Sequence, residues 1–207
     1  MSRIFRSDDV SIGERVVVRR VFGDVHSDVI GHVTSLEPLR LRPQEVGGYP
    51  SSLPEVEVPA EQIGIIKRLS PRRVRNSDIR RGEQAWAQEH PASEEQWTSD
   101  GQWLMRIGAD NAALPLGRSA GVTPAPLAEI VEFYRARNLP PRVCLVERLG
   151  ATAEPHVADW ELGEETLVML DESGAQFHVS ASDTEELERL REQGFVEHHR
   201  RRYATSV

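Results

Sequence analysis

Two adjacent histidines, His198 and His199, sit in the run FVEHHRRRY near the C-terminal end. Histidine titrates near neutral pH, so either one could serve as a general base. Neighbours on a strand point to opposite faces, which argues against both holding one metal ion, and no metal site is expected. The three arginines that follow fit a solvated edge strand. Cys144 is the only cysteine, so neither an internal disulfide nor a cysteine-based zinc site can form within one chain. Residues 67–81 read KRLSPRRVRNSDIRR, seven basic groups against the single acid Asp78. Arginines neutralise phosphates and release counterions, so this strip could contact nucleic acid. It lacks the interleaved aromatics of a single-strand stacking platform, and Glu83, Glu89, Glu94 and Glu95 follow closely enough to pair with it. A solvated connector is therefore the favoured reading. Tyr49 is the one aromatic residue of the turn-rich stretch GGYPSSLP, where a packing lid is favoured over a ligand platform.

These residues need elements to position them. RVVVRRVF from Arg15, DVIGHVTSL, LRLRP, EVEVP and IGIIKRL are five β-branched runs separated by Gly, Pro and Asp, a pattern that predicts a small β-barrel. In EVEVP, Val56 and Val58 share one face and Glu55 and Glu57 the other. Residues 76–89 predict a helix, although Ser77 is followed three positions on by Arg80 and forms no capping box. Trp97, Trp103, Leu104, Met105 and Ile107 predict a strand with the tryptophans in the core, then a turn over 108–111. Thr123 as cap and Pro124 as first residue predict a helix with Leu127, Ile130, Val131 and Tyr134 on one side, ending near Asn138. RVCLVERL, ETLVML and QFHVS predict strands, and TEELERLREQ a helix started by the Ser182 to Glu185 box and stopped by Gly194. The fold class expected is α+β: a small barrel over 1–70, a basic linker over 71–82, and an α/β domain over 83–207.

Composition limits the function classes. Of 207 residues, 39% are hydrophobic and 28% charged, enough to bury real cores. No apolar stretch approaches the ~20 residues of a membrane helix, and the opening residues lack the apolar core of a secretory signal, so a cytoplasmic location and no membrane partner are expected. The net charge of −8 is uneven: residues 1–82 hold 14 basic and 11 acidic groups (+3), leaving −11 for the remainder. Such asymmetry suggests separate units. Lys67 is the sole lysine, an Arg bias that fits GC-rich coding better than selection for bidentate contacts.

DVIGHVTSL, followed by VEVPAEQIGIIKRLSPRRVRNSDIR, resembles the N-terminal SH3-like barrel and linker of actinobacterial GNAT acetyltransferases. GQWLMRI, NAALPLG and LAEIVEFYRARNLPPRVCLV resemble the opening strand, turn and helix of the acetyltransferase part, and LREQGFVEHHRRRY its closing helix and strand. The chain looks like a shortened form that lacks the central acetyl-CoA-binding segment. The turn before NAALPLG is reduced to GAD, and Leu190 stands where many GNATs carry the tyrosine that protonates the departing thiolate. The family's Arg/Gln-x-x-Gly-x-Gly/Ala loop holds the cofactor pyrophosphate on backbone N–H groups. Its nearest counterpart is Arg118, Gly121 and Thr123 in RSAGVT, with a β-branched residue in the last position.

The resemblance implies a GNAT-related N-acetyltransferase-like protein, with acetyl-CoA as cofactor if the chain is active and an unidentified amine as acceptor; no catalytic residue is assigned. The alternative is a non-catalytic interaction protein using the barrel and basic linker, with nucleic acid as a candidate partner. An incomplete acetyltransferase sheet would expose its edges, and pairing them across a two-fold axis predicts a homodimer.

Overall fold

Alternating apolar side chains turn the first third of the chain into a sheet. Val16 and Val18 in β1 (Arg15–Phe22), Val33 in β2 (Val25–Leu36), Leu39 and Leu41 in β3 (Leu39–Pro43) and Val58 in β4 (Val56–Val58) are buried together, with Ile63 and Ile66 of β5 (Ile63–Arg68) packed against them. The computed structural model describes residues 7–70, 74–108 and 110–206, and the chain divides into two units, Met1–Arg73 and Val74–Val207. The outward face of the first unit carries cross-strand ion pairs, Arg19 with Asp28 at 2.8 Å and Arg40 with Glu57 at 3.1 Å.

All five predicted strands form, yet the sheet is not the closed barrel expected. Its order is β4-β3-β2-β1-β5, every pair is antiparallel, and no ladder joins the outer strands β4 and β5 among the described residues. β4 has only three residues between Pro54 and Pro59, and the chain passes to β5 through a 3-10 turn at Ala60–Gln62. Proline offers no N–H to a ladder, so this corner cannot be zipped shut.

Among the described residues the second unit is α+β, mostly sheet with three α-helices. Its helix α1 (Asn76–Glu89) already includes residues 76–82 of the sequence-predicted linker, while residues 71–73 lie outside the described residues. The sheet then adds β6 (Glu94–Trp97), β7 (Leu104–Ile107), β8 (Ala113–Leu114), β9 (Arg142–Val146), β10 (Glu161–Leu162), β11 (Thr166–Leu170), β12 (Gln176–Ser180) and β13 (Val196–Thr205). Its order is β12-β11-β13-β9-β8-β7-β6, with β10 pairing β13. Among the described residues every pairing is antiparallel except β8 with β9, which is parallel and registered at Ala113↔Val143 alone.

Helix α1 lays Ile79 and Ala87 on Leu104, Leu114, Cys144 and Val146. The alternate residues of the sheet meet α3 (Thr184–Glu192), whose Leu187 and Leu190 bury Leu167, Met169 and Phe195. Helix α2 (Leu127–Arg135) sends the Tyr134 hydroxyl to the Arg106 backbone, where it accepts from N and donates to O, both at 3.1 Å. Its cap is Pro126 and its first residue Leu127, in place of the expected Thr123 and Pro124. Pro124 and Pro126 each disfavour helical geometry in the preceding residue, and the Thr123 hydroxyl turns back to Ser119 O at 3.0 Å. The caps move similarly. Asp78 accepts from the Arg75 N–H at 3.2 Å at the start of α1, and Asp183, one residue after the expected Ser182, accepts from Glu186 N at 3.0 Å at the start of α3. The expected single strand around Trp97 and Trp103 is a hairpin: Trp103 is buried, whereas Trp97 stands exposed on the outermost strand.

Gly31 of β2 lies where an added Cβ would meet Arg42 O at 2.3 Å and Arg42 C at 2.9 Å, both backbone atoms that cannot rotate away. Gly31→Ala should destabilise the first unit by about 1–3 kcal/mol, the usual range for overpacking, measured as a fall in its denaturant midpoint. An unchanged midpoint would show that β3 yields at no cost.

Candidate functional site

The second unit buries a group of charges between α1 and β13. Glu83 is one turn beyond Ile79 on the inward stripe of α1 and is fully buried. One of its oxygens meets His199 Nε2 at 2.8 Å, and the other lies 3.1 Å from Arg201 Nη1. The Arg201 guanidinium is placed over the Trp86 ring, 4.6 Å from its centroid, and donates from Nη2 to the Tyr203 hydroxyl at 2.6 Å. Trp86 also stacks with His90, at 4.4 Å between ring centroids, and with His178 of β12, at 5.2 Å. Three elements distant in sequence, α1, β12 and β13, thus supply one polar centre.

Burial and pairing set its titration. Burial works to raise the Glu83 carboxyl, but the Arg201 charge and the His199 contact outweigh it and hold it at about 2. Burial, followed by the Arg201 charge, pushes His178 down to about 3; burial and His199 push His198 down to about 4. Burial lifts the Cys144 thiol to about 12 and also raises Tyr203. Burial opposes the Arg201 charge, yet Cys144, Glu83 and Tyr203 together raise its pKa above the ordinary arginine value. A thiol and a phenol held this high are poor nucleophiles and acids, and a histidine at about 3 or 4 is a weak base at neutral pH. The centre orders the sheet and stores charge away from water.

The two adjacent histidines do not face opposite ways. The β11–β13 register pairs Val168 with His199 and Met169 with Glu197, so His198 is the extra residue of a bulge. The bulge brings His198 Nδ1 within 2.8 Å of His199 Nδ1. Nor is HHRRR a solvated edge: β13 is interior to the sheet, and His199, Arg200 and Arg201 are all buried. Arg200 belongs to a second buried network, in which its guanidinium reaches Glu197 at 2.7 Å and Glu165 at 3.0 Å. No group of three metal-ligating side chains is found among the described residues.

The RSAGVT loop lies between β8 and α2. Ser119 N donates to Gln102 Oε1 at 2.7 Å, Ala120 N to Gly117 O at 3.3 Å, and Val122 N and Thr123 N both to Ser119 O at 2.8 Å. A Cβ on Gly121 would meet Arg148 O at 2.4 Å, so protein backbone already fills that side. The carbonyls of Gly117 and Arg118 accept from Arg80, each at 3.0 Å. The basic segment is thereby divided. Lys67 and Arg68 end β5, with Arg68 bound to Glu14 at 2.9 Å, Arg75, Arg80 and Arg81 belong to the start of α1, and Arg72 and Arg73 lie outside the described residues. Tyr49 is exposed in its loop, where its carbonyl accepts from Glu45 N at 2.8 Å.

Glu83, Trp86, His178 and Arg201 were not singled out by sequence reasoning. The available signal was the helical stripe Ile79, Glu83, Trp86 and Ala87, in which a carboxylate occupies an apolar position.

The centre gives two measurable outcomes. A carboxyl depressed to about 2 stabilises the fold above its unfolded value of 4.5, and this is lost as pH falls toward 2. His178 and His198, depressed to about 3 and 4, add stability that is full above 6.5 and lost as pH falls through 6.5 toward those values. The melting temperature of the second unit should therefore fall from about pH 6.5 downward. His178→Phe, which keeps the stack on Trp86, should flatten that slope, and an identical slope would exclude His178 as its source. Glu83→Gln leaves Arg201 buried without its carboxylate and should cost about 3–5 kcal/mol in denaturant unfolding.

Neither a curated protein nor a solved structure matches this chain. A family model does match part of it. Residues 76–177, from the start of α1 to the start of β12 and just under half of the chain, match the family described as Probable histone acetyltransferase Rv0428c C-terminal, so this part of the second unit is similar to a probable acetyltransferase family.

Proposed function

We propose that this chain is a GNAT-related, N-acetyltransferase-like protein, whose lineage chemistry is transfer of an acetyl group from acetyl-CoA to an amine. The observation that carries this reading is the pair β8 and β9. Among the described residues they are the one parallel pair of the sheet, they are joined through α2, and they are registered at a single position. A parallel pair that opens beside a helix start is the arrangement in which an α/β sheet admits a phosphate-bearing ligand. The family match covers these same elements. In the first unit, four antiparallel strands, a 3-10 turn and a fifth strand paired to the first fit an SH3-like module that has not closed.

The residues present are a poor fit for the cofactor's pyrophosphate at RSAGVT. Four of the loop's N–H groups are spent within the protein, and Gly121 has backbone against it. Leu114, Leu116, Val146 and Leu149, at and beyond the ends of β8 and β9, are buried in the core with Ile79 and Ala87 of α1, and Leu190, in the place of the lineage's tyrosine acid, is a core residue of α3. These observations favour the second reading, a binding protein that keeps the acetyltransferase architecture without its reaction.

Calorimetric titration with acetyl-CoA, and with coenzyme A as the product control, separates the two. Micromolar binding, about −8 kcal/mol, supports the enzyme. A folded sample that releases no heat at cofactor concentrations near millimolar would overturn acetyl transfer and leave the binding protein.

A further inference from the structure

A groove of about 540 Å³ opens along the second half of α1, between that helix and the β6–β7 hairpin. Ala87, Leu104 and Leu116 form an apolar floor, Gln84 and Gln88 a polar rim, and Trp97 a side wall. Its volume is that of a small-molecule site. Trp97 is 45% exposed, whereas Trp103, just before the partner strand β7, is fully buried. Other rings in the protein already carry a guanidinium: Arg201 is over Trp86, Arg142 over Tyr203, Arg137 over Phe133 and Arg20 over Phe22, all within 5.2 Å. The Trp97 ring has no such partner among the described residues, although indole is the strongest cation platform of the aromatic side chains.

Glu95 lies two residues before Trp97 and shares its face of β6. Its Oε1 accepts from Arg106 Nε at 2.9 Å, and Arg106 is itself buried, held by Ala87 O at 2.8 Å and also by His90 O. The buried guanidinium therefore fixes the carboxylate, whose side chain remains 44% exposed at the groove. Indole face, anchored carboxylate and apolar floor stand in one concavity, within the part of the chain that holds the −11 charge excess.

We propose that this groove binds an organic cation, an ammonium or guanidinium group on a short apolar stem. The stem lies on Ala87, Leu104 and Leu116, and the charge rests between the Trp97 ring and the Glu95 carboxylate. Two sources share this chemistry, a free alkylamine or polyamine and a basic side chain of a peptide. The site needs no acyl donor, so it stands or falls separately from acetyl transfer.

The test is calorimetric titration of the full-length protein, without any coenzyme A, using n-butylammonium, spermidine and a lysine-containing peptide, with n-butanol as the uncharged control. Saturable binding of one or more cations at submillimolar concentration is expected, at least tenfold tighter than n-butanol. Spermidine or the peptide binding more tightly identifies the source. Trp97→Leu, an exposed position outside the core, should weaken binding at least tenfold with an unchanged melting temperature, and Glu95→Gln should weaken it similarly. Binding of butanol as tight as that of butylammonium, retention of affinity in Trp97→Leu, or no saturable binding of any cation would each overturn the proposal. Cation binding without acetyl-CoA binding would uphold this site and remove the acetyltransferase reading, while the converse would do the opposite.

Discussion

The ion pair between Glu83 and Arg201 is the constraint around which the second unit is arranged. Two opposite charges removed from water are tolerated only when each finds the other and the remaining polar atoms find partners. Arg201 meets that condition by its contacts with Trp86 and the Tyr203 hydroxyl, and Glu83 by His199. Each partner comes from a different part of the chain, so α1 cannot dock on the sheet without β13 in register.

The bulge at His198 serves the same centre. Without the extra residue, strict alternation would send either His198 or His199 to the α3 face. With it, His198, His199, Arg201 and Tyr203 act toward α1, while Glu197 and Arg200 pair on the other side with Glu165. One strand thereby supplies two separate buried networks. His178 and His198 are held neutral by burial and by neighbouring charge, a structural use that removes those two from acid–base work near neutral pH.

The architecture and the chemistry point in different directions within this unit. The parallel β8–β9 pair linked through α2 lies within residues 76–177, the part of the chain that matches an acetyltransferase family model. The RSAGVT loop and the residues at the ends of β8 and β9 are packed with the chain's own atoms. Open, partly apolar space lies instead along α1 and β6, where Trp97 and Glu95 meet the solvent. Fold and site are separable properties, and a chain can keep one while relocating the other.

Local patterns in the sequence determined the five strands of the first unit, α1, α3, β9, β11, β12 and β13, because periodicity two or 3.6 and turn residues act over a few neighbours. Gly194, at φ 90, stops α3 as its position implied. Tertiary structure decided the rest. Whether the first sheet closes depends on the reach of a three-residue strand between two prolines, which no local pattern encodes. The start of α2 depended on two prolines and a turn at Ser119 that override a plausible cap. The register slip at His198 arises from pairing with β11, thirty residues away, so a rule for an isolated strand gave the wrong faces. Glu83 looked like surface charge because burial is a property of what packs on a residue, and its partners Arg201 and His199 lie more than a hundred residues further along the chain.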